Sequence, residues 1–284
     1  MRLLRPLLTT VFSLFPVAVA GAQQMPTLAD RYDFGRSTSR FDLPARLDEI
    51  SGLTITPDGR LFGHQDERAT VYEIDLHSGK VGKRFSLGDP AEPGDFEGIA
   101  IVGERFFLIT SRGLLYEFRE AGDREAAPYR VTDTLLGAHC EVEGLDHDPV
   151  DDVLLVACKV SAPERGVVVV HRLPMGPERG RPDSIEIPRS QLSEWGLDGG
   201  FEPSAIAVDP TGTLVLSSAS AEALIEVDRE GHVLAGVRLS PGGHAQPEGL
   251  AFGPDGTLYI ADERNRRGPR LTAYAPRGVA SPGR

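Results

Sequence analysis

Five short stretches of this chain set acidic or amide side chains ahead of a small residue and a branched apolar one. They read Glu49-Ile50-Ser51-Gly52-Leu53, Asp95-Phe96-Glu97-Gly98-Ile99, Glu141-Val142-Glu143-Gly144-Leu145, Glu202-Pro203-Ser204-Ala205-Ile206 and Gln246-Pro247-Glu248-Gly249-Leu250. Acids in this number are candidate ligands for a hard cation, the alternative being a purely structural acidic channel. Ca²⁺ takes about 6–8 oxygens and favours carboxylates, backbone carbonyls and water. No Cys-His cluster has zinc spacing, which argues against zinc.

The elements that must position these acids follow from their spacing. The third residues of the copies are Ser51, Glu97, Glu143, Ser204 and Glu248, at intervals of 46, 46, 61 and 44. A period in the forties with strand-like content is the signature of propeller blades. Each copy opens a run of short strands bounded by Gly, Pro or Asp, as antiparallel strands require. The first unit is Ser51–Ile55, Arg60–His64, Thr70–Leu76 and Lys80–Leu87. The second is Gly98–Val102, Arg105–Thr110, Leu114–Phe118 and Tyr129–Leu135. The third is Gly144–His147, Val153–Ala157, Val167–Leu173 and Ser184–Ile187. The fourth is Ala205–Val208, Thr213–Ser217, Ala223–Val227 and Val233–Leu239. The fifth has only Leu250–Phe252, Thr257–Ile260 and Leu271–Tyr274, so an N-terminal strand near Phe41 must complete it. The expected fold is all-β, a five-bladed β-propeller whose last blade is closed by that strand. The third unit's extra length, Pro188 to Gly200 with the chain's one Trp, Trp195, is either structural cover or a binding loop.

In a propeller the first strand of each blade lines the central channel, and residues two apart face the same way. One expected ring is Glu49, Asp95, Glu141, Glu202 and Gln246. The other is Ser51, Glu97, Glu143, Ser204 and Glu248, with His139 and His244 one step further out. Two like charges about 4 Å apart repel by roughly 1 to 4 kcal/mol. Protonation of some acids, incoming bases or a bound cation must offset this. Arg112 and Lys159, at the ends of second strands, are the candidate bases. Glu49, Asp95, Glu97, Glu141, Glu143 and Glu248 are the candidate metal ligands. The glycines that follow are read as packing residues, since only a small side chain fits where inner strands crowd the axis. The second-strand ends also contribute His64, Asp66 and Asp262. With Arg112, His139, Lys159, Glu202 and His244 they form the candidate ligand pocket.

Residues 1–22 read as a secretory signal peptide. Arg2 and Arg5 precede an apolar run from Leu7 to Val19, and Ala20-Gly21-Ala22 offers a cleavage site. That run is too short to span a bilayer, so no transmembrane segment is expected after cleavage. Residues 23–40 would be an arm on the body, and 41–284 a single propeller domain. The chain has 30 basic and 42 acidic residues; without Arg2 and Arg5 the balance is 28 − 42 = −14. Nucleic acid and anionic lipid are thereby excluded as main partners. Cys140 and Cys158 would face each other across a hairpin at Asp148–Asp152, and in an exported chain such a pair reads as a disulfide.

Together the copies at Glu49–Leu53, Asp95–Ile99, Glu141–Leu145 and Pro247–Leu250 resemble the SdiA-regulated family of exported proteins, distant relatives of NHL-repeat propellers, over about Leu47 to Tyr274. The resemblance implies a five-bladed propeller with a Ca²⁺ site at the repeated acids, a periplasmic or secreted location, and no established activity. The fourth copy departs from it at Ser204. Three functions compete. One is a calcium-stabilised scaffold for a small molecule or protein, supported by the absence of GxSxG, HExxH and SxxK motifs. Another is a metal-dependent hydrolase like propeller lactonases, arylesterases or phytase-like esterases, with His64, His139 or His244 as base. The third is a protein-interaction platform using the outer blade faces and the Trp195 loop.

Overall fold

The computed structural model describes residues 25–161, 166–175, 182–197, 200–239 and 243–278. The expected signal peptide, residues 1–22, lies outside them. Strand β1 (Ser39–Asp42) comes first in the chain and joins the last of five sheets, all of them antiparallel except for one added parallel strand. The first blade is β2 (Ile50–Ile55), β3 (Leu61–Gln65), β4 (Thr70–Ile74) and β5 (Val81–Leu87). The second is β6 (Phe96–Val102), β7 (Arg105–Thr110) and β8 (Leu114–Arg119), with β10 (Tyr129–Asp133) after a two-residue β9 (Ala126–Ala127). The third is β11 (Cys140–Asp148), β12 (Val153–Ser161), β13 (Val167–Pro174) and β14 (Asp183–Pro188). The fourth is β15 (Ala205–Val208), β16 (Leu214–Ser218), β17 (Ala223–Val227) and β18 (Val233–Arg238). In the fifth, β19 (Pro247–Phe252), β20 (Leu258–Asp262) and β21 (Arg270–Tyr274) are completed by β1, with Phe41 opposite Leu271. The ring therefore closes as a five-bladed propeller through its N-terminal strand.

Each blade shows apolar side chains to both neighbours, so the core falls into five clusters, one in each gap between blades. Phe62 and Phe85 of the first blade meet Phe96, Phe106 and Phe118 of the second. The rings of Phe62 and Phe106 stand edge to face at 5.2 Å. Ala205, Val215 and Leu224 of the fourth blade meet Leu250, Leu258 and Tyr274 of the fifth. Each fully buried Phe or Leu contributes about 1.5–3 kcal/mol, so the blade contacts carry most of the stability.

Two features depart from the sequence reading. The strand expected over Tyr129–Leu135 ends at Asp133, because Leu135 takes φ 62° and leaves the extended region. Strand β9 leaves the second blade and pairs in parallel with β5, Leu87 opposite Ala127, covering the first blade's outer edge.

The arm makes a short helix, α1 (Leu28–Arg31), docked between the last two blades with Leu28 and Tyr32 buried. Between Pro188 and Gly200 a second short helix, α2 (Arg189–Leu192), leads into a turn at Ser193–Trp195. It buries Leu192 and Leu197 in the gap between the third and fourth blades. Gln191 accepts from Val233 N–H at 2.8 Å, which makes this insertion structural cover. No described helix is long and apolar enough to cross a membrane.

Candidate functional site

The inner strands β2, β6, β11, β15 and β19 contact one another in a closed cycle, and the acidic copies lie at their N-terminal ends. Four of those strands break register at the motif's third residue. Ile50 pairs with Gln65 and Gly52 with His64, leaving Ser51 unpaired; Phe96–Thr110 and Gly98–Ile109 leave Glu97 unpaired. Val142–Cys158 and Gly144–Ala157 leave out Glu143, and Pro247–Asp262 and Gly249–Ala261 leave out Glu248. These are β-bulges, which re-aim a side chain and are common beside functional sites. The following glycines press on the next blade's inner strand. A Cβ on Gly98 would sit 2.6 Å from Leu145 N, and one on Gly144 3.0 Å from Ile206 N. One on Gly249 would sit 2.8 Å from Leu53 Cγ. The small residue at Gly98, Gly144 and Gly249 is thus a requirement of ring closure, while a Cβ on Gly52 would first meet His64 of its own blade at 2.6 Å.

The bulge acids converge electrostatically. Burial, with the Glu143 and Asp95 charges behind it, pushes the Glu97 carboxyl up to about 9. Burial and then Glu143 and Glu263 push Glu248 up to about 8. Burial raises Glu143 to about 7 against the opposing hydrogen bond from Lys159, whose Nζ lies 2.9 Å from Glu143 Oε1 and 3.9 Å from Glu141. Burial and the Glu49 charge raise Asp66 to about 6, and the same two causes raise Glu263. Asp66 Oδ1 is buried and accepts no hydrogen bond. Asp95 accepts from Ser111 Oγ at 2.6 Å, and Gln246 Nε2 donates to Glu263 at 3.1 Å. Glu49, Asp95 and Glu141 are exposed, whereas Glu97 and Glu248 are half-buried and Glu143 is buried.

The remaining expected positions divide. Ser204 is buried, donating to Pro247 O at 2.6 Å, so the odd fourth copy is a link between blades. Glu202 is half-buried, its backbone N–H held by Ser218 Oγ. Arg112 is exposed on the turn after β7. His64 is fully buried against Gly52, its Nε2 unpartnered, and burial pushes it down to about 4. His244 is buried with Nδ1 2.7 Å from Asp262 and Nε2 2.7 Å from the Tyr274 hydroxyl, so both its nitrogens are committed. His139 is exposed, and its charge bears on His171 of β13. Cys140 and Cys158 form the expected disulfide, with Cα atoms 5.4 Å apart.

Two further acids lie outside the expected ligand set: Glu263, one of the polar second-strand ends near the mouth, and Asp146, which the sequence reading did not single out. Glu263 follows Asp262 at the end of β20 and belongs to the mouth cluster. Asp146 lies at the opposite mouth, in a cavity of about 340 Å³ lined by Leu53, Ile101, Val208 and Phe252 of the inner strands and by Arg229 of the turn between β17 and β18. It accepts from Val208 N–H at 2.7 Å, and burial raises it to about 6. Its signal is its place in the repeat, where the other copies carry Thr54, Ala100, Ala207 and Ala251.

The donor set at the acidic mouth is all oxygen, which suits Ca²⁺. Bonds of about 2.3–2.6 Å bring the ligand oxygens of one ion within about 5 Å of each other. Among the described residues, no three carboxylates have oxygens all within 4.8 Å of one another. The mouth therefore holds no preformed cage of three carboxylates among the described residues.

A family model described as SdiA-regulated matches residues 38–266. No match is found among curated proteins. The glutaminyl cyclase of Myxococcus xanthus superposes with a TM-score of 0.60 at 17% identity, covering 86% of this chain and 97% of that one. The PQQ-bound aldose sugar dehydrogenase of Streptomyces coelicolor gives 0.54 at 14%, covering 84% and 98%. A luciferin-regenerating enzyme gives 0.53 at 10%, covering 86% and 97%. At these identities the likeness is one of fold, the β-propeller.

Proposed function

The chain belongs to the SdiA-regulated family, and from that premise we propose that it is a binding scaffold whose acidic mouth holds a partly hydrated Ca²⁺. One observation carries this reading. Glu97, Glu143 and Glu248 come from three blades, each at a bulge, and each holds its proton well above the usual carboxylate range. Burial and mutual repulsion are the cause, and Lys159 offsets only part of it. A bound divalent ion would supply the missing positive charge, ligated directly by at most two of these carboxylates in the present geometry and through water by the others, with Asp95, Glu49 and Glu141 at the rim. The unpartnered Asp66 Oδ1 is a further acceptor facing the same charges. Thermal unfolding at pH 8 with Ca²⁺ and with EGTA tests the reading. The midpoint should rise with Ca²⁺ in the parent chain and not in Glu97→Gln/Glu143→Gln; an unchanged midpoint in EGTA sinks it.

Export to the periplasm or medium is part of the proposal. It is supported by the Leu7–Val19 segment and by the Cys140–Cys158 disulfide, a bond that persists in oxidising compartments. Cell fractionation and the mass of the mature N-terminus check it.

A second reading, hydrolysis of an ester or lactone, gains support from Glu143 rather than from a histidine. A carboxyl titrating at about 7 is matched to general acid–base work at neutral pH. His64 and His244 are buried, and His139 is exposed on the turn before β11. Lactone, aryl ester and phosphoester panels test it, with loss of any turnover in Glu143→Gln required.

A further inference from the structure

The disulfide has a neighbour that neither the fold nor the acidic mouth uses. The sulfurs of Cys140 and Cys158 and a ring nitrogen of His171 all lie within 4.8 Å of one another. Among the described residues no other trio of Cys, His, Asp or Glu donors is gathered so closely. The three come from adjacent strands of one blade, Cys140 from β11, Cys158 from β12 and His171 from β13. Both cysteines are buried and His171 is half-buried.

We propose that the reduced form of this chain binds a Zn²⁺-class ion through Cys140, Cys158 and His171, so that blade three exchanges a covalent staple for a metal one. Bonds of about 2.3 Å to sulfur and 2.0–2.1 Å to nitrogen put the donors of a tetrahedral ion about 3.3–3.8 Å apart. The three donor atoms start within 4.8 Å of one another, and once the S–S bond is broken the two sulfurs are released to part to that spacing. His171 is half-buried, and the neutral imidazole is the form that ligates a metal. Water or His139, which adjoins Cys140 in sequence, takes the fourth position.

The chemistry balances with a dithiol reductant. The dithiol gives two electrons and two protons to the S–S bond and becomes a cyclic disulfide, leaving two thiols on the chain. The ion then displaces the two thiol protons. In an oxidising compartment the sulfurs stay bonded to each other. The metal form belongs to the chain before oxidation, or after a dithiol has reached it. The donor set is sulfur and nitrogen, so the site is separable from the all-oxygen mouth.

The test is a Co²⁺ titration of metal-free protein kept reduced with a phosphine, followed by Zn²⁺. One equivalent of Co²⁺ should produce a thiolate-to-metal band in the near ultraviolet and the visible bands of a tetrahedral site. Zn²⁺ should displace them, and the oxidised chain should show neither. Cys140→Ser should abolish the signal. His171→Ala should shift the visible bands and weaken binding by more than the roughly tenfold that an outer-shell change costs. If the reduced chain loses its β circular dichroism without metal, Zn²⁺ should restore it. The proposal is overturned by a missing thiolate band in reduced folded protein, by identical titrations of both redox forms, by a His171→Ala variant that binds as the parent does, or by failure of Zn²⁺ to restore a lost fold.

Discussion

Lys159 Nζ donates a 2.9 Å hydrogen bond to Glu143 Oε1 from the neighbouring strand of the same blade. Glu143 is 5% exposed, while the lysine side chain is 39% exposed. The pair joins a buried acid to solvent. Replacing Lys159 by Met removes the base that opposes the Glu143 shift and leaves a buried carboxylate among like charges. Solvent screening keeps the expected loss near 1 kcal/mol at pH 8. Adding Glu143→Gln should return most of it, because the unpaired charge is then gone. Urea denaturation of the four proteins in the cycle measures the coupling; a purely additive result would contradict the assigned pairing.

The pH dependence has a fixed sign. Glu97, Glu248 and Glu143 bind protons more tightly folded than unfolded, titrating at about 9, 8 and 7 against an ordinary 4.5. Between 4.5 and those values the folded chain holds more protons, so stability must fall as pH rises. In EGTA the midpoint of thermal unfolding should decline from pH 5 to pH 9, and Glu97→Gln should flatten the decline. With Ca²⁺ present the slope should shrink above pH 7, since the ion and the protons compete for the same oxygens. A slope that ignores both the mutation and the ion would remove these acids from the account.

Ring closure makes its own demand at Gly98. A Cβ there would lie 2.6 Å from Leu145 N on the next blade, a backbone atom that cannot swing aside. Gly98→Ala should cost about 1–3 kcal/mol by overpacking. The same change at Gly82, where nothing lies within 4 Å, should cost far less. Paired denaturant midpoints decide, and equal losses would refute the packing role.

Much of this was legible because the repeat marks itself twice, through the acids and through the glycines that let inner strands touch. The missing fourth strand of blade five announced the closure by β1. Other features leave no local trace. The bulges at Glu97, Glu143 and Glu248 are register events between two strands, and alternation along one strand cannot reveal them. His244 looks like a mouth residue until the Asp262 and Tyr274 contacts commit both its nitrogens in the fold. Strand β9 pairs across blades through two alanines, which carry no pattern at all.

The arm yields the largest stability effect. Arg31 reaches from α1 into blade four, with Nη1 2.7 Å from Asp209 and Nη2 3.0 Å from Glu226. Both acids are buried, and the arginine side chain is 14% exposed. Glu226 also accepts from the Leu28 backbone N–H and from Thr213 Oγ1, so a single carboxylate fastens the arm in two places. Removing the guanidinium strands two buried charges, and breaking such a pair costs about 3–5 kcal/mol. Arg31→Ala should fall in that range by guanidinium chloride denaturation. Arg31→Lys should recover only part of it, because one ammonium cannot fork between two carboxylates. The pair Arg264–Asp48 is the control; its arginine is exposed and its aspartate half-buried, and Arg264→Ala should cost less than about 1 kcal/mol. If the two alanine variants lose the same stability, α1 is a passenger on the propeller rather than the clasp between its last two blades.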